Sequence, residues 1–391
     1  MTDLLALDEA IAAVLAEAAP LSSEDVPLEH ALGRVLAESA RAASDLPPFP
    51  SSSMDGFAVR TVDTPGSLSI AGESAAGNPF AGLVGTGEAV SIATGAVVPA
   101  GADGVIPIER VVVSDNKVEV GAVAAGANIR FAGGDVESGA TVVGAGVRLR
   151  ATHLGALAAA GIPAVRCAVR PRVRVVVTGT ELRAAGESLG PGEIYESNGT
   201  LVRAALGHQA EVELLAPVRD DESAHRDALA LALEADVALT TGGVSVGPHD
   251  LVRAVAAELG AAEQFWRVAV KPGKPVYFAT KGRTLVFGLP GNPVSVLVGL
   301  ELFVRPALRA LEGEAEPGPR FETARLAGAV RRDPARDVLL RAQLRDGAVD
   351  PLGGQESHMI VRAAAADRLV RIPRGEGELA AGERVQVIPL P

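Results

Sequence analysis

The sequence predicts a multidomain chain of the α/β plus β class, with a mostly parallel α/β unit flanked by β-rich segments. Three observations carry that expectation. From residue 172 onward, apolar strand-like runs alternate with helix-like runs, the rhythm of a parallel sheet. Residues 57–147 instead hold short Val, Ile and Ala runs cut by glycine turns. The chain has 391 residues, 48% of them apolar, enough for several cores.

Taken in order, Leu4, Leu7, Ile11, Val14 and Leu15 recur at helical spacing until Pro20 ends the run. Pro27 is placed to open a second helix through "LEHALGRVLAE", with Leu28, Ala31, Leu32 and Val35 as its inward stripe. "DLPPFPSSSMDG" is a loop, because its prolines and serines deny it a regular element. "RATHLGALAAAG" returns to helix and is expected to pack beside the first two. The resulting division is a helical linker region at 1–45 and 148–171, with a β-rich insertion at 46–147. The α/β unit follows at 172–312, with "VRVVVTG", "DVALTTGG" and "TLVFGLPGN" as strands. Beyond "EGEAEPGPR", residues 320–391 read as short strands forming a small β domain.

In an open parallel sheet, ligands sit beyond the carboxyl ends of the strands. This chain places "TGTEL", "TTGGVSVGPHD" and "FGLPGNP" there, with "KPGKP" between the last two. Gly242 and Gly243 allow positive φ, so the backbone N–H groups of Gly242, Gly243 and Ser245 could face a phosphate. Lys271 and Lys274 would supply positive charge. Asp250 reads either as the N-cap of the next helix or as a ligand, and Glu181 and Asp221 as solvated loop residues or as carboxylates sharing a hard cation. His249 reads as a cap neighbour. Neither a P-loop nor a dinucleotide fingerprint occurs, so kinase and dehydrogenase readings lose their support.

The bulk composition narrows the partners. A net charge of -12 without a basic run argues against nucleic acid. The single cysteine, Cys167, excludes an internal disulfide or a cysteine metal cluster, and reads as a small buried hydrophobe in a cytoplasmic protein. The N-terminus carries Asp3, Asp8, Glu9 and Glu17, unlike a signal peptide, and the apolar run "NPVSVLVGLELFVRP" is interrupted by Glu301 and too short for a membrane span.

Four stretches in order, "PPFPSSSMDGFAV", "TGGVSVGPHD", "KPGKP" and "FGLPGNPVSVLV", resemble the molybdopterin molybdenumtransferase family, whose relatives include the C-terminal E domain of gephyrin. The resemblance covers nearly the whole chain. It implies an elongated homodimer, an α/β domain of the molybdopterin-binding type and a C-terminal β-barrel-like domain. The implied reaction joins molybdate to adenylylated molybdopterin and releases AMP with Mg2+. Transient handover from a molybdopterin adenylyltransferase, and onward to molybdoenzymes, goes with it.

The family's acidic cluster matches Glu181, Asp221 and Asp250, which the resemblance makes the metal ligands. Its cross-subunit residues match Asp55, Thr94 and Asp135. Its basic residues match Lys271 and, at a position often lysine, Arg267. Its turn prolines match Pro290 and Pro293, and Ser357 matches a C-terminal-domain serine; Thr178 belongs to the same "TGTEL" loop. Three positions depart from the common pattern: Thr180 for an acid, Glu196 for aspartate, and Arg267 for lysine. The competing readings are a molybdopterin adenylyltransferase, which shares the α/β domain, and a gephyrin-like scaffold without activity.

Overall fold

The computed structural model describes residues 4–219, 221–244 and 251–390. The first helix, α1 (Leu7–Glu17), buries Leu7, Ala10, Ile11 and Val14. Those residues join the core of the α/β unit, so α1 packs there rather than beside the later linker helix. The expected second helix is absent. Ser23–Pro27 is a strand paired antiparallel with Ala164–Ala168, and Leu28–His30 forms one turn of 3-10 helix. Gly33, at φ 76°, then turns the chain. Ala31, Val35 and Leu36 are buried, while Leu32 is 59% exposed. The helical spacing was a coincidence of a strand, a turn and a bridge. Partner residues about 140 positions away decided the local structure.

The β-rich expectation for the next segment holds. Six strands between residues 56 and 120 form one sheet, in which Gly56–Val59, next to the edge strand Gly104–Pro107, is buried along its whole length. Helix α2 (Ala151–Ala159) follows, and its Leu157 packs with Val26, Leu36 and Cys167. Cys167 is buried and unpaired.

The α/β unit begins with β1 (Arg172–Val177), followed by α3 (Asn198–Leu206), β2 (Glu211–Leu214), α4 (Glu222–Ala232), β3 (Val237–Thr241) and α5 (Val252–Glu258). Then come β4 (Ala262–Trp266), β5 (Tyr277–Lys281), β6 (Thr284–Leu289), α6 (Pro293–Gly299) and α7 (Arg305–Leu311). The strand order is β2-β1-β3-β6-β5-β4. The first four strands run parallel, while β5 is antiparallel to β6 and β4 is antiparallel to β5, pairings that the apolar pattern did not reveal.

The sheet is covered on both faces, which is why its strands are near-continuous apolar runs. Val173, Val175 and Val177 face α1, α3 and the α6–α7 helix, and Val176 faces α4 and α5. The α6–α7 helix is continuous through a π-helical stretch at Leu300–Val304.

The C-terminal segment contains β7 (Glu322–Leu326), β8 (Asp337–Arg345), β9 (Ala348–Pro351), β10 (Arg368–Ile372) and β11 (Arg384–Pro389). They pair in the cycle β8-β9-β7-β11-β10-β8, a closed five-stranded barrel around Leu326, Ala342, Val370 and Val387. Closure removes the exposed edges of so small a sheet. Val270–Lys271 pairs in parallel with Asp337–Val338 at the start of β8, joining the "KPGKP" loop to the barrel. Arg371 also ties the two units, reaching Asp8 of α1 at 2.8 Å and Asp337 at 2.6 Å. Among the described residues no helix is long and apolar enough to cross a membrane.

Candidate active site

A cleft of about 820 Å³ opens where the carboxyl ends of the parallel strands meet the barrel. The α/β side supplies Thr178 and Glu181 from the β1 loop, Gly243 and Val244 from the β3 loop, and Pro290, Gly291 and Asn292 from the β6 loop. Lys271 and Lys274 form another wall, and the barrel contributes Arg336 and the 355–358 segment.

The glycine turn after β3 is built for close approach. Gly242 sits at φ 90° and Gly243 at φ 68°. A Cβ on Gly242 would lie 2.6 Å from the Thr178 hydroxyl oxygen and 3.0 Å from its carbonyl oxygen. The Gly242 N–H donates to the Leu289 carbonyl at 2.9 Å, and the Thr178 hydroxyl donates to the Thr241 carbonyl at 3.2 Å. The Trp266 indole N–H donates to the Val244 carbonyl at 3.1 Å, fixing the next residue. Three strand ends are thereby locked side by side, packed too closely for a side chain at either glycine.

Opposite lies Ser357. Its hydroxyl accepts from the Asn292 side-chain amide at 2.9 Å and its carbonyl accepts from the Val294 N–H at 3.1 Å, so the barrel loop is pinned to the start of α6. Pro293 takes the first helical position there, where its missing N–H costs nothing. Buried Arg341 holds the same barrel loop from behind, donating to the carbonyls of Gly354 and Met359 at 2.6 and 2.5 Å.

The charges follow a pattern. Arg336 is paired with Asp333 at 3.0 Å; the Ala335 N–H, and after it that pairing, hold the Asp333 carboxyl below its usual range. Lys271 and Lys274 are exposed and have no ion-pair partner among the described residues. Glu181 is likewise an exposed carboxylate free of ion pairs among them. Glu196 accepts the Gly199 N–H at 2.6 Å, so the longer acid at this position serves the first turn of α3.

Of the residues singled out from the sequence, Thr178, Glu181, Gly243, Lys271, Lys274, Pro290 and Ser357 line this cleft, and Gly242 lies directly behind it. Asp221 does not line it. It caps α4, accepting the Ala224 N–H at 2.8 Å and the Ser223 hydroxyl at 3.0 Å, which keep its carboxyl below the usual range. It borders a neighbouring hollow with Pro217 and Asp227.

Arg267 is also elsewhere: its guanidinium stacks 3.7 Å over Trp266, with Arg253 equally placed on that ring. Asp55 accepts the Thr94 N–H at 2.7 Å in the inserted β region, and Asp135 lies exposed in the same region. Ser245, His249 and Asp250 lie outside the described residues. Among the described residues, no group of three His, Cys, Asp or Glu side chains is gathered as a metal site.

Sequence reading missed Asn198 and Arg336. Asn198 donates to the Gly291 carbonyl at 2.8 Å, and its buried side-chain oxygen has no partner among the described residues. "ESNG" gave a weak signal for it. Arg336 had none, since only the barrel brings it to the cleft.

Relatives decide the family. The family described as "MoeA N-terminal region (domain I and II)" matches residues 5–161, "Probable molybdopterin binding domain" matches 174–310, and "MoeA C-terminal region (domain IV)" matches 323–390. A molybdopterin molybdenumtransferase of Haemophilus influenzae is 35% identical, over 99% of this chain and 98% of its own. The chain belongs to the molybdopterin molybdenumtransferase family. Molybdopterin molybdenumtransferase 2 of Mycobacterium tuberculosis is 34% identical, over 93% of this chain and 94% of its own. The fold is likewise that of the family: the crystal structure of the molybdopterin biosynthesis MoeA protein from Pyrococcus horikoshii OT3 matches with a TM-score of 0.87 at 30% identity. That match covers 99% of this chain and 100% of the other.

Proposed function

We propose that this molybdenumtransferase-family member inserts molybdate into adenylylated molybdopterin, giving molybdenum cofactor and AMP. The observation that carries the reading is the cleft itself, where Lys271 and Lys274, without an ion-pair partner among the described residues, share the lining with the glycine turn after β3. Such a surface suits a phosphoanhydride: point-like ammonium charges beside a glycine turn stabilise negative oxygen without demanding one fixed geometry. The partnerless side-chain oxygen of Asn198 supports a polar ligand beside it, one able to donate a hydrogen bond.

In this mechanism the Gly243 N–H faces the phosphates, with Ser245 as a further candidate donor; the Gly242 N–H, expected to join them, is instead spent on the Leu289 carbonyl. Lys271 stabilises charge on the departing AMP, and Lys274 and Ser357 orient the substrates. Molybdate, the cargo, meets the pterin sulfurs on the barrel side of the cleft, near Lys271 and Arg336. Protein thiols take no part, since Cys167 is buried away from the cleft.

Glu181 is suited to a hard divalent ion, being a carboxylate on the cleft wall with no cation paired to it. Mg2+ held there, with Asp250 as a further candidate ligand, would supply charge neutralisation for the phosphates, while Asp221, expected to join them, is committed to the cap of α4. Asp55, Thr94 and Asp135 are assigned to the cleft of a partner subunit in a homodimer. Arg267 is assigned to the rim through its stack on Trp266, whose indole fixes Val244.

The test is incubation of the purified protein with adenylylated molybdopterin, molybdate and Mg2+. The expected result is AMP and molybdenum-bound cofactor in equal amounts. No AMP under any divalent metal overturns the reading. Synthesis of the adenylate from ATP and molybdopterin would point instead to an adenylyltransferase.

A further inference from the structure

Glu301, which interrupts the apolar run of the long helix, belongs to a second cavity that the cleft does not use. This cavity, of about 630 Å³, shares no lining residue with the first. Helix α6 begins at the cleft. Its continuation carries Glu301, Arg305 and Arg309 into the second cavity, roughly 20 Å further along at 1.5 Å per residue. All three side chains are buried. The π-helical stretch at Leu300–Val304 falls at this point, a widening that recurs at functional positions in helices.

Five arginines converge there: Arg148, Arg170, Arg305, Arg309 and Arg320. Three carboxylates answer them. Glu301 pairs with Arg305 at 2.7 Å, Glu312 with Arg148 at 2.6 Å, and Glu314 with Arg148 at 3.0 Å and with Arg320. Glu322, exposed at the mouth, is the fourth acid. Arg170 and Arg309 have no carboxylate within ion-pair distance among the described residues. Arg309 spends one N–H on the Gly318 carbonyl at 2.8 Å. Burial and the neighbouring Arg320 push the Arg309 guanidinium down to about 10, against the opposing pull of Glu314 and Glu301. Burial, with Arg305 and Arg148, likewise holds His208 below its usual value.

A buried guanidinium without an acid, as at Arg309, is costly, and a protein of net charge -12 has carboxylates enough to have paired it. A ligand that brings its own negative oxygens resolves the cost. We propose that this second cavity binds a phosphate-type oxyanion, gripped by Arg309 and Arg170 and flanked by Arg320. The planar forks of arginine match tetrahedral oxygen in pairs, and Leu32, Ile388 and Pro389 offer an apolar flank to the body of a phosphate ester. The inference does not rest on the reaction proposed for the cleft.

The test is isothermal titration of the full chain at low salt with inorganic phosphate and, separately, with adenosine monophosphate. It is run in a Lys271→Ala/Lys274→Ala background, so that heat from the cleft is removed. Saturable binding with a dissociation constant on the order of 1 mM or tighter is expected. Half-buried Arg170, which holds no interior hydrogen bond among the described residues, can be replaced safely. Arg170→Ala should weaken binding about tenfold or more, the range for a charge-assisted hydrogen bond, and Arg170→Lys should retain part of it. Arg309→Gln should weaken it further if the variant keeps the parent melting temperature. Tighter binding of the nucleotide than of free phosphate assigns a phosphate ester, and equal affinities assign free phosphate. No saturable heat from either ligand, or binding indifferent to Arg170→Ala, overturns the proposal and leaves the arginines as an interdomain brace.

Discussion

Gly242→Ala is the sharpest perturbation of the cleft. At φ 90° an L side chain costs about 1–2 kcal/mol before any contact is counted. The new Cβ would stand 2.6 Å from the Thr178 hydroxyl oxygen and 3.0 Å from the Thr178 carbonyl. Thr178 cannot retreat easily, because its N–H is bonded to the Thr241 carbonyl at 3.1 Å. Forcing a methyl into such a contact adds about 1–3 kcal/mol. Gly260→Ala is the control, since Gly260 has φ 87° but nothing within 4 Å of its Cβ position.

The two variants therefore share the backbone term and differ by the overlap, roughly 2 kcal/mol, or about 30-fold in local opening. Hydrogen exchange followed by mass spectrometry over β3 and its loop reads this difference directly. Gly242→Ala should lose about that much more protection in the segment than Gly260→Ala, and should lose AMP release with it. Equal protection in the two variants would refute the argument that the turn is fixed by close approach to Thr178.

Other outcomes follow from the same contacts. Lys271→Ala should lower AMP release by about 10²–10³-fold with an unchanged melting temperature, read by product assay and thermal scan. Asp221→Asn should keep the melting temperature of the parent, because asparagine caps a helix as well as aspartate, and should lose activity only if the charge serves a metal. The Asp221→Ala variant separates the cap: since its carboxyl is depressed in the folded state, the cap's charged contribution is complete at neutral pH. It fades only as pH falls through that lowered value, so the stability gap to the parent should be flat from pH 6 to 8. Arg341→Met strands the carbonyls of Gly354 and Met359 and should cost about 3 kcal/mol, with a raised KM as Ser357 loses its backing. Arg371→Ala leaves Asp337 buried and without its partner, a loss of about 3 kcal/mol or more, seen as a lower melting temperature of the barrel.

By itself, the sequence determined the α/β rhythm, the positions of the loops at the strand ends and the glycines of the turn. Those are local properties: apolar periodicity follows from burial on two faces, and glycine admits positive φ at little steric cost. It also determined the family, through long motifs kept in order. Tertiary structure decided what those motifs meet. Ser23–Pro27 became a strand because Ala164–Ala168 lies beside it, against a helical spacing. Strands β4 and β5 turned antiparallel without any mark in their composition. Arg336 and Ser357 reach the cleft only because Val270–Lys271 pairs with Asp337–Val338. Arg267, in sequence a neighbour of the lysine loop, is drawn aside onto Trp266. Asp221 and Glu181 are alike as loop carboxylates in the sequence, yet one is taken up by a helix N-terminus and the other is left facing the cleft. A side chain's partner is set by pairings over long separations, which no local pattern encodes.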